Sequence, residues 1–300
     1  MKKRKYSAKF KAVDAFLIAC MILPILFGIM LYVMFTPESS GIEISGARIY
    51  FTLNTPVQSL PITESQVNSW IVIISVFFLC LYLTHGLSAT NPTKRQHIVE
   101  WALEQTKKLV SDNMGEFFDE FAPFVAAIMM LSAFSSLITL VGLYPPTSDL
   151  NVVGGWALLV FVLITYYKFK CGAVHYLKSF AEPVAFLTPL NVISEFATPV
   201  SMAFRHYGNI LSGSVISVLV AASLQELSKI IFGKLPGFLG SIPFLQIGLP
   251  AVLSIYFDVF SGLLQAFIFA MLTMLYISSG FPEEDYKAKL LKKSAVKANT

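Results

Sequence analysis

Charge is scarce in this sequence. Asp, Glu, Lys and Arg together make up 13% of the 300 residues, while 55% are hydrophobic. That balance excludes an ordinary soluble domain, which carries about twice the charge. Cysteine is scarcer still. Cys20 and Cys80 fall in apolar runs and Cys171 in a basic loop. None of them has a neighbour at metal-ligand or redox spacing, so no disulfide, metal site or cofactor is expected. No His-Glu-x-x-His or Gly-x-Ser-x-Gly pattern occurs, and the aspartates in apolar runs are not paired, which argues against a membrane hydrolase. The two halves of the chain show no repeat of the kind that many secondary transporters carry.

Long apolar runs fill the space that charge leaves. Several approach or exceed the roughly 20 residues that cross a bilayer, so the fold class is an all-α polytopic membrane protein. The first span is expected from about Val13 to Phe35 behind a basic start, as an uncleaved anchor kinked by Pro24 and Gly28. A polar stretch from Thr36 to Asn68 follows, with Ala47–Leu53 as a candidate strand. The second span is expected over Ser69–Leu87, the third over Phe121–Leu143 and the fourth over Val152–Tyr167. Between the second and third, Ile98, Ala102, Leu109 and Val110 give an apolar side, and Lys94, Arg95, Lys107 and Lys108 can reach headgroups. This reads as a helix on the cytoplasmic membrane surface, with His97 a surface residue.

The positive charges set the orientation. With the N-terminus inside, eighteen of the 22 Lys and Arg residues lie on the inner side, and only Arg48, Lys229 and Lys234 lie outside. That split favours six crossings with both ends in the cytoplasm. The net charge of +4 then reflects orientation and calls for no nucleic-acid partner.

Two apolar segments, about Val184–Ala222 and Phe244–Ser278, are too long for one upright crossing. At 1.5 Å per residue, a 35-residue helix spans roughly 50 Å against a hydrocarbon core of about 30 Å. The expectation is a long, strongly tilted hairpin, broken near its start by Pro189 and Pro199 and joined by an outside loop over Ser223–Pro243. The first arm holds the remaining positive charge, Arg205, within Pro199–Gly213. Thr198, Ser201, Gly208, Asn209 and Ser212 share its helical face, a small and weakly polar stripe that suits the close approach of another helix. The second arm spaces Ser254, Asp258, Ser261 and Gln265 by four, three and four, on one α-helical face. A charge at this depth is kept where it meets protein or water, so both stripes are candidate ion-handling sites. A structural pairing of Asp258 with Arg205 stays open.

These two arms resemble the signature region of subunit a of the rotary F-type ATP synthase. The stretch PVSMAFRHYGNILSG resembles that family's arginine helix, and FDVFSGLLQAFIFAMLTMLYIS its acid-then-glutamine helix. PTSDLNV and PLNVISEFATP fit the same pattern, over about Ser65–Ser279. Residues 1–66 look like an N-terminal anchor and extracytoplasmic loop, 67–280 like the subunit core, and 281–300 like a charged cytoplasmic tail. The resemblance implies a multi-pass subunit of the bacterial cell membrane, non-catalytic on its own. Its partners would be a ring of c subunits, the b subunits of the peripheral stalk and the lipid bilayer, with no nucleic acid and no small-molecule substrate beyond the transported ion. It places Arg205 as the essential charge facing the ring, with Asn209 and Gln265 as polar neighbours. Asp258 takes the place of an outer half-channel acid, and Glu195, Ser214 and Asp149 are further half-channel positions. The chain departs from the pattern at His206 and Tyr207, where leucine and phenylalanine are usual. It departs again at Thr139, where asparagine is common, and at Ser214, which cannot titrate where glutamate or histidine is frequent. Asp258 is then the expected sole outer relay. The transported ion is read as a proton, with sodium left open, and a secondary ion-coupled transporter is the alternative.

Overall fold

The computed structural model describes residues 8–36, 46–56, 58–89, 92–170, 185–232 and 248–279, with Tyr176, Phe180, Leu245 and Phe281 besides. Among these residues, six helical stretches are long and apolar enough to cross a membrane. In chain order the elements are α1 (Ala8–Phe35), a hairpin of β1 (Ile49–Asn54) and β2 (Ser59–Thr63), α2 (Glu64–Thr84) and α3 (Lys94–Met114). A 3-10 turn over Glu116–Phe121 leads into α4 (Ala122–Leu137), and α5 (Leu150–Lys170) and α6 (Thr188–Phe232) follow. The last stretch starts as α7 (Leu249–Ser254), widens into a π-helix over Ile255–Ser261 and continues as α8 (Gly262–Ser279). The surface helix expected from the basic segment is α3, which is not among the six apolar stretches.

Three expectations need correction. Pro189 and Pro199 do not break the first long arm. Pro189 is the second residue of α6, where a backbone N–H has no partner to lose, and Pro199 lies inside a continuous helix. At 45 residues, α6 extends about 68 Å, more than twice the hydrocarbon thickness, so it cannot stand upright. The outside loop expected over Ser223–Pro243 begins later, because the helix runs to Phe232; the rest of that loop lies outside the described residues. Finally, the second arm is not a uniform α-helix. Its i→i+5 turn carries Asp258 and Ser261, so the four-three-four spacing does not place them on one α-helical face.

The helices divide between two compact units. One takes in the described residues up to Glu100, Met130–Val152 and His206–Ala266. Its core joins Leu31 of α1, Tyr50 of β1, Val67, Ile71, Val72 and Val76 of α2, and Ile138 and Leu143. Helices α1 and α2 approach closely at Gly28, where a Cβ would meet Ile71 Cδ1 at 2.7 Å. Pro24 has no N–H for the turn before it, and Ser75 of α2 donates from Oγ to Met21 O in that turn at 3.0 Å. At one end of the pair, Asp14 of α1 meets His85 Nδ1 at 2.8 Å and Arg95 Nη1 at 3.3 Å, while Phe10 stacks on the His85 ring at 4.3 Å. At the other, the antiparallel hairpin buries Tyr50, beside an irregularity between Ile49 and Phe51, and packs the half-buried Ile62 against the same core. Burial, with Glu64 close by, pushes the Tyr50 phenol up to about 12, so it stays neutral at any physiological pH.

The other unit comprises Trp101–Met129, Val153–Arg205 and the described residues from Phe267. Its core is larger and aromatic. Val110 and Met114 of α3, Phe118 and Val125 before and within α4, Val160 and Ile164 of α5, Met202 of α6, and Phe269, Met274 and Ile277 of α8 pack together. Phe281 stacks on Phe117 at 4.7 Å and meets Phe118 edge-on at 5.3 Å.

Candidate functional site

Helix α6 carries two faces around its middle. Met202, Ala203, His206, Ile210 and Gly213 are buried. Ser201, Arg205 and Ser212 are exposed and Gly208 half-buried, so the small polar stripe read around Arg205 points outward. A Cβ on Gly208 would meet nothing within 4 Å. Among the described residues Arg205 makes no ion pair and no hydrogen bond.

The inner face of α6 meets the first unit's other helices at named contacts. Asn209 Nδ2 donates to Ser261 Oγ on the π turn at 2.8 Å. Gly213 lies against Phe257 of the same turn, whose Cδ1 would be 3.0 Å from a Cβ there. Asp258 is half-buried on that turn, and Gln265, one turn into α8, is buried. The first residue of α8, Gly262, sits so close to Ser136 of α4 that a Cβ would meet Ser136 Cβ at 2.5 Å. Close backbone approach of this kind uses small residues on both sides, and neither Gly262 nor Ser136 was singled out from the sequence. His206 is fully buried, with Nε2 3.4 Å from Ser132 Oγ on α4.

The remaining sequence-derived positions separate. Ser214 is exposed and donates to Leu211 O in its own helix at 2.9 Å. Asp149 works as a helix cap: its Oδ1 accepts from the backbone N–H of Asn151 at 2.9 Å at the start of α5, and its Oδ2 accepts from Ser65 Oγ. Burial, with the charges of Asp149 and Glu64 nearby, raises the Tyr144 phenol above its ordinary range. Glu195 pairs with Lys168 of α5, whose Nζ donates to both carboxylate oxygens at 2.6 and 2.7 Å. The two line a polar cavity of about 250 Å³ together with Phe180, Asn191, Ser194 and Thr198. The Tyr176 hydroxyl reaches Glu195 Oε1 at 3.4 Å, and burial followed by that carboxylate raises its pKa. Lys168, Tyr176, Ser132 and Glu64 were not singled out from the sequence. Each becomes visible only through a contact between residues distant in the chain.

Among the described residues, six helical stretches long and apolar enough to cross a membrane, with an exposed arginine on the longest and a carboxylate on a π turn, define a polytopic membrane protein. The particular family follows from comparison with known proteins. The chain belongs to the ATP synthase A chain family, whose model matches residues 66–278. It is 29% identical to the ATP synthase subunit a of Legionella pneumophila (strain Philadelphia 1), over 78% of this chain and 93% of the relative. It is 33% identical to the ATP synthase subunit a of Priestia megaterium, over 74% of this chain and 94% of the relative. The subunit a of Geobacter sulfurreducens is 29% identical over 76% and 93%. The chain's role is accordingly that of the proton-translocating stator subunit, and a secondary transporter is not favoured.

Proposed function

We propose that Arg205 is the fixed charge that this stator subunit presents to a ring of c subunits, separating an outer from an inner half-channel. The observation that carries this reading is the outward guanidinium, set in a small polar stripe with open space over Gly208 and no acid paired to it among the described residues. A ring carboxylate brought within about 4 Å of it would gain roughly 4 kcal/mol at an effective dielectric of about 20. At about 1.4 kcal/mol per pKa unit, that favours the ionised carboxylate by up to roughly three units before desolvation is subtracted. The ring site is driven to release its proton as it meets the arginine. The same fixed charge blocks direct passage between the two half-channels. Lysine would serve poorly, because a desolvated ammonium can lose its proton and a guanidinium does not.

In this reading Asp258 on the π turn receives the ion on the outer side, with Asn209 and Gln265 as the polar groups between it and the ring. Glu195, in its polar cavity, belongs to the inner side. Asp149 and Ser214 take secondary places, since one is engaged as a cap and the other bonds to its own helix. The subunit is non-catalytic on its own, sits in a bacterial cell membrane with both termini cytoplasmic, and is braced by the b subunits of the peripheral stalk. Residues 67–280 form the working core. In inverted vesicles carrying the complete complex, Arg205→Lys and Arg205→Ala are each expected to abolish ATP-driven proton uptake while the complex still assembles. Near-normal uptake with either variant would refute the role given to Arg205.

A further inference from the structure

The hairpin between α1 and α2 carries no charged residue from Ile49 to Thr63. A two-stranded ribbon is marginal in water and needs a surface to pack on. Residues directly opposite each other in an antiparallel pair share a face. Phe51 stands opposite Ile62 and Leu53 opposite Leu60, which makes one face of the ribbon apolar. Thr52 opposite Pro61 and Asn54 opposite Ser59 make up the other. The irregularity between Ile49 and Phe51 takes Tyr50 out of this alternation.

The apolar face has a direction. At its base Ile62 packs against the core that joins α1 and α2. The ring of Phe35, the last residue of α1, meets Tyr50 at 5.1 Å and Phe51 edge-on at 5.7 Å. The face therefore looks at the ends of the helices. Both ends of the ribbon are tied down there. Strand β2 runs into α2 with no loop, and Arg48 Nη1, just before β1, donates to Thr36 Oγ1, just after α1, at 2.6 Å. Toward the turn, the same face runs on past the core, and Phe51, Leu53 and Leu60 are each more than half exposed. Val33 and Met34 in the last turn of α1 are exposed beside it. A face aimed at the helix ends and continuing beyond them meets what surrounds those helices, and around a spanning helix that is lipid.

We propose that this hairpin is a membrane-docking element, with Leu53 and Leu60 seated in the lipid interface at the ends of α1 and α2. The seat is shallow. A two-stranded ribbon keeps backbone groups open along its outer edges, and hydrocarbon offers them no partner, whereas headgroups and water do. An element with one apolar and one polar face suits that boundary, and Thr52, Asn54 and Ser59 stay on the watery side. The inference does not depend on the role given to Arg205, and it holds whichever side of the membrane the hairpin occupies.

The test uses the complete complex in phosphatidylcholine–phosphatidylglycerol vesicles, with Cys20, Cys80 and Cys171 replaced by alanine. Leu53→Cys and Thr52→Cys, on opposite faces, are each labelled with a nitrobenzoxadiazole fluorophore. The label at Leu53→Cys is expected to emit at shorter wavelength, to be quenched by lipid carrying a nitroxide near the headgroup end of its chain, and to resist iodide in the water. The label at Thr52→Cys should be quenched by iodide. Equal iodide quenching at both sites overturns the proposal, because the apolar face then stands free in water. Protection of Leu53→Cys from both quenchers overturns it as well, because a second copy or another protein then covers the face. Should Leu53→Cys not assemble, Leu60→Cys reads the same face with the same outcomes. ATP-driven proton uptake retained in each labelled complex shows that the assembled form is the one measured.

Discussion

At the scale of single residues, the close approaches fix what can change. Gly262 meets Ser136 through a contact that a rotamer change cannot relieve, because the neighbouring atom is the Cβ, held by its own backbone, with Ser136 Cα also within 3.9 Å. Gly262→Ala must therefore push α8 and α4 apart where they pack. We expect a loss of about 1–3 kcal/mol, the range for overpacking a filled site, read as a lower midpoint of thermal inactivation in detergent. Ser136→Gly in the same chain should restore it. Gly155→Ala is the control: nothing lies within 4 Å of a Cβ there, and alanine favours the helix by up to about 1 kcal/mol, so no loss is expected. If both glycine variants lose stability equally, the contact between Gly262 and Ser136 does not set the packing. Arg205 shows the opposite logic on the same scale. It is exposed, and it is legible from the sequence because a lone charge in an apolar run is conspicuous whatever surrounds it.

At the scale of elements, Lys168 of α5 and Glu195 of α6 form a clasp between two helices, with Tyr176 closing on the carboxylate. Removing one partner leaves the other charge partly buried and uncompensated, which costs more than the pair itself contributes. Lys168→Met and Glu195→Gln should each lower thermal stability by about 1–3 kcal/mol, below the fully buried range because both side chains keep some exposure. The double variant should be less destabilised than the sum of the two. Strict additivity would show that the ion pair is not a unit. This clasp could not be read from the sequence, because its members lie 27 residues apart and neither stands out locally. The spans themselves could be read, since bilayer thickness and apolar length decide them. The failures have physical causes. Pro199 looked like a breaker, but neighbouring protein lets a membrane helix run through a proline. Strand β2 was hidden because Pro61 sits within it, opposite Thr52 on a two-stranded ribbon. The π turn has no periodicity of its own, so Asp258 and Ser261 were assigned to a face that a wider turn does not keep.

At the scale of the whole molecule, the sorting of positive charge gives a prediction that needs no side-chain contact at all. Eighteen of 22 Lys and Arg residues fall on one side of a six-crossing path, and a reversed orientation would place them all on the translocated side. In a chain with Cys20, Cys80 and Cys171 replaced by alanine, single cysteines at Asp112 and Gln58 should react from opposite sides. Gln58 lies between the strands of the hairpin and is exposed, so a membrane-impermeant maleimide should label Gln58→Cys in intact cells. Asp112 is exposed near the end of α3, beside Lys107 and Lys108, and Asp112→Cys should label only in inverted vesicles. Labelling of both cysteines from the same side would show that α2 does not cross the membrane between them, and an exchange of the two labels would show the reversed orientation.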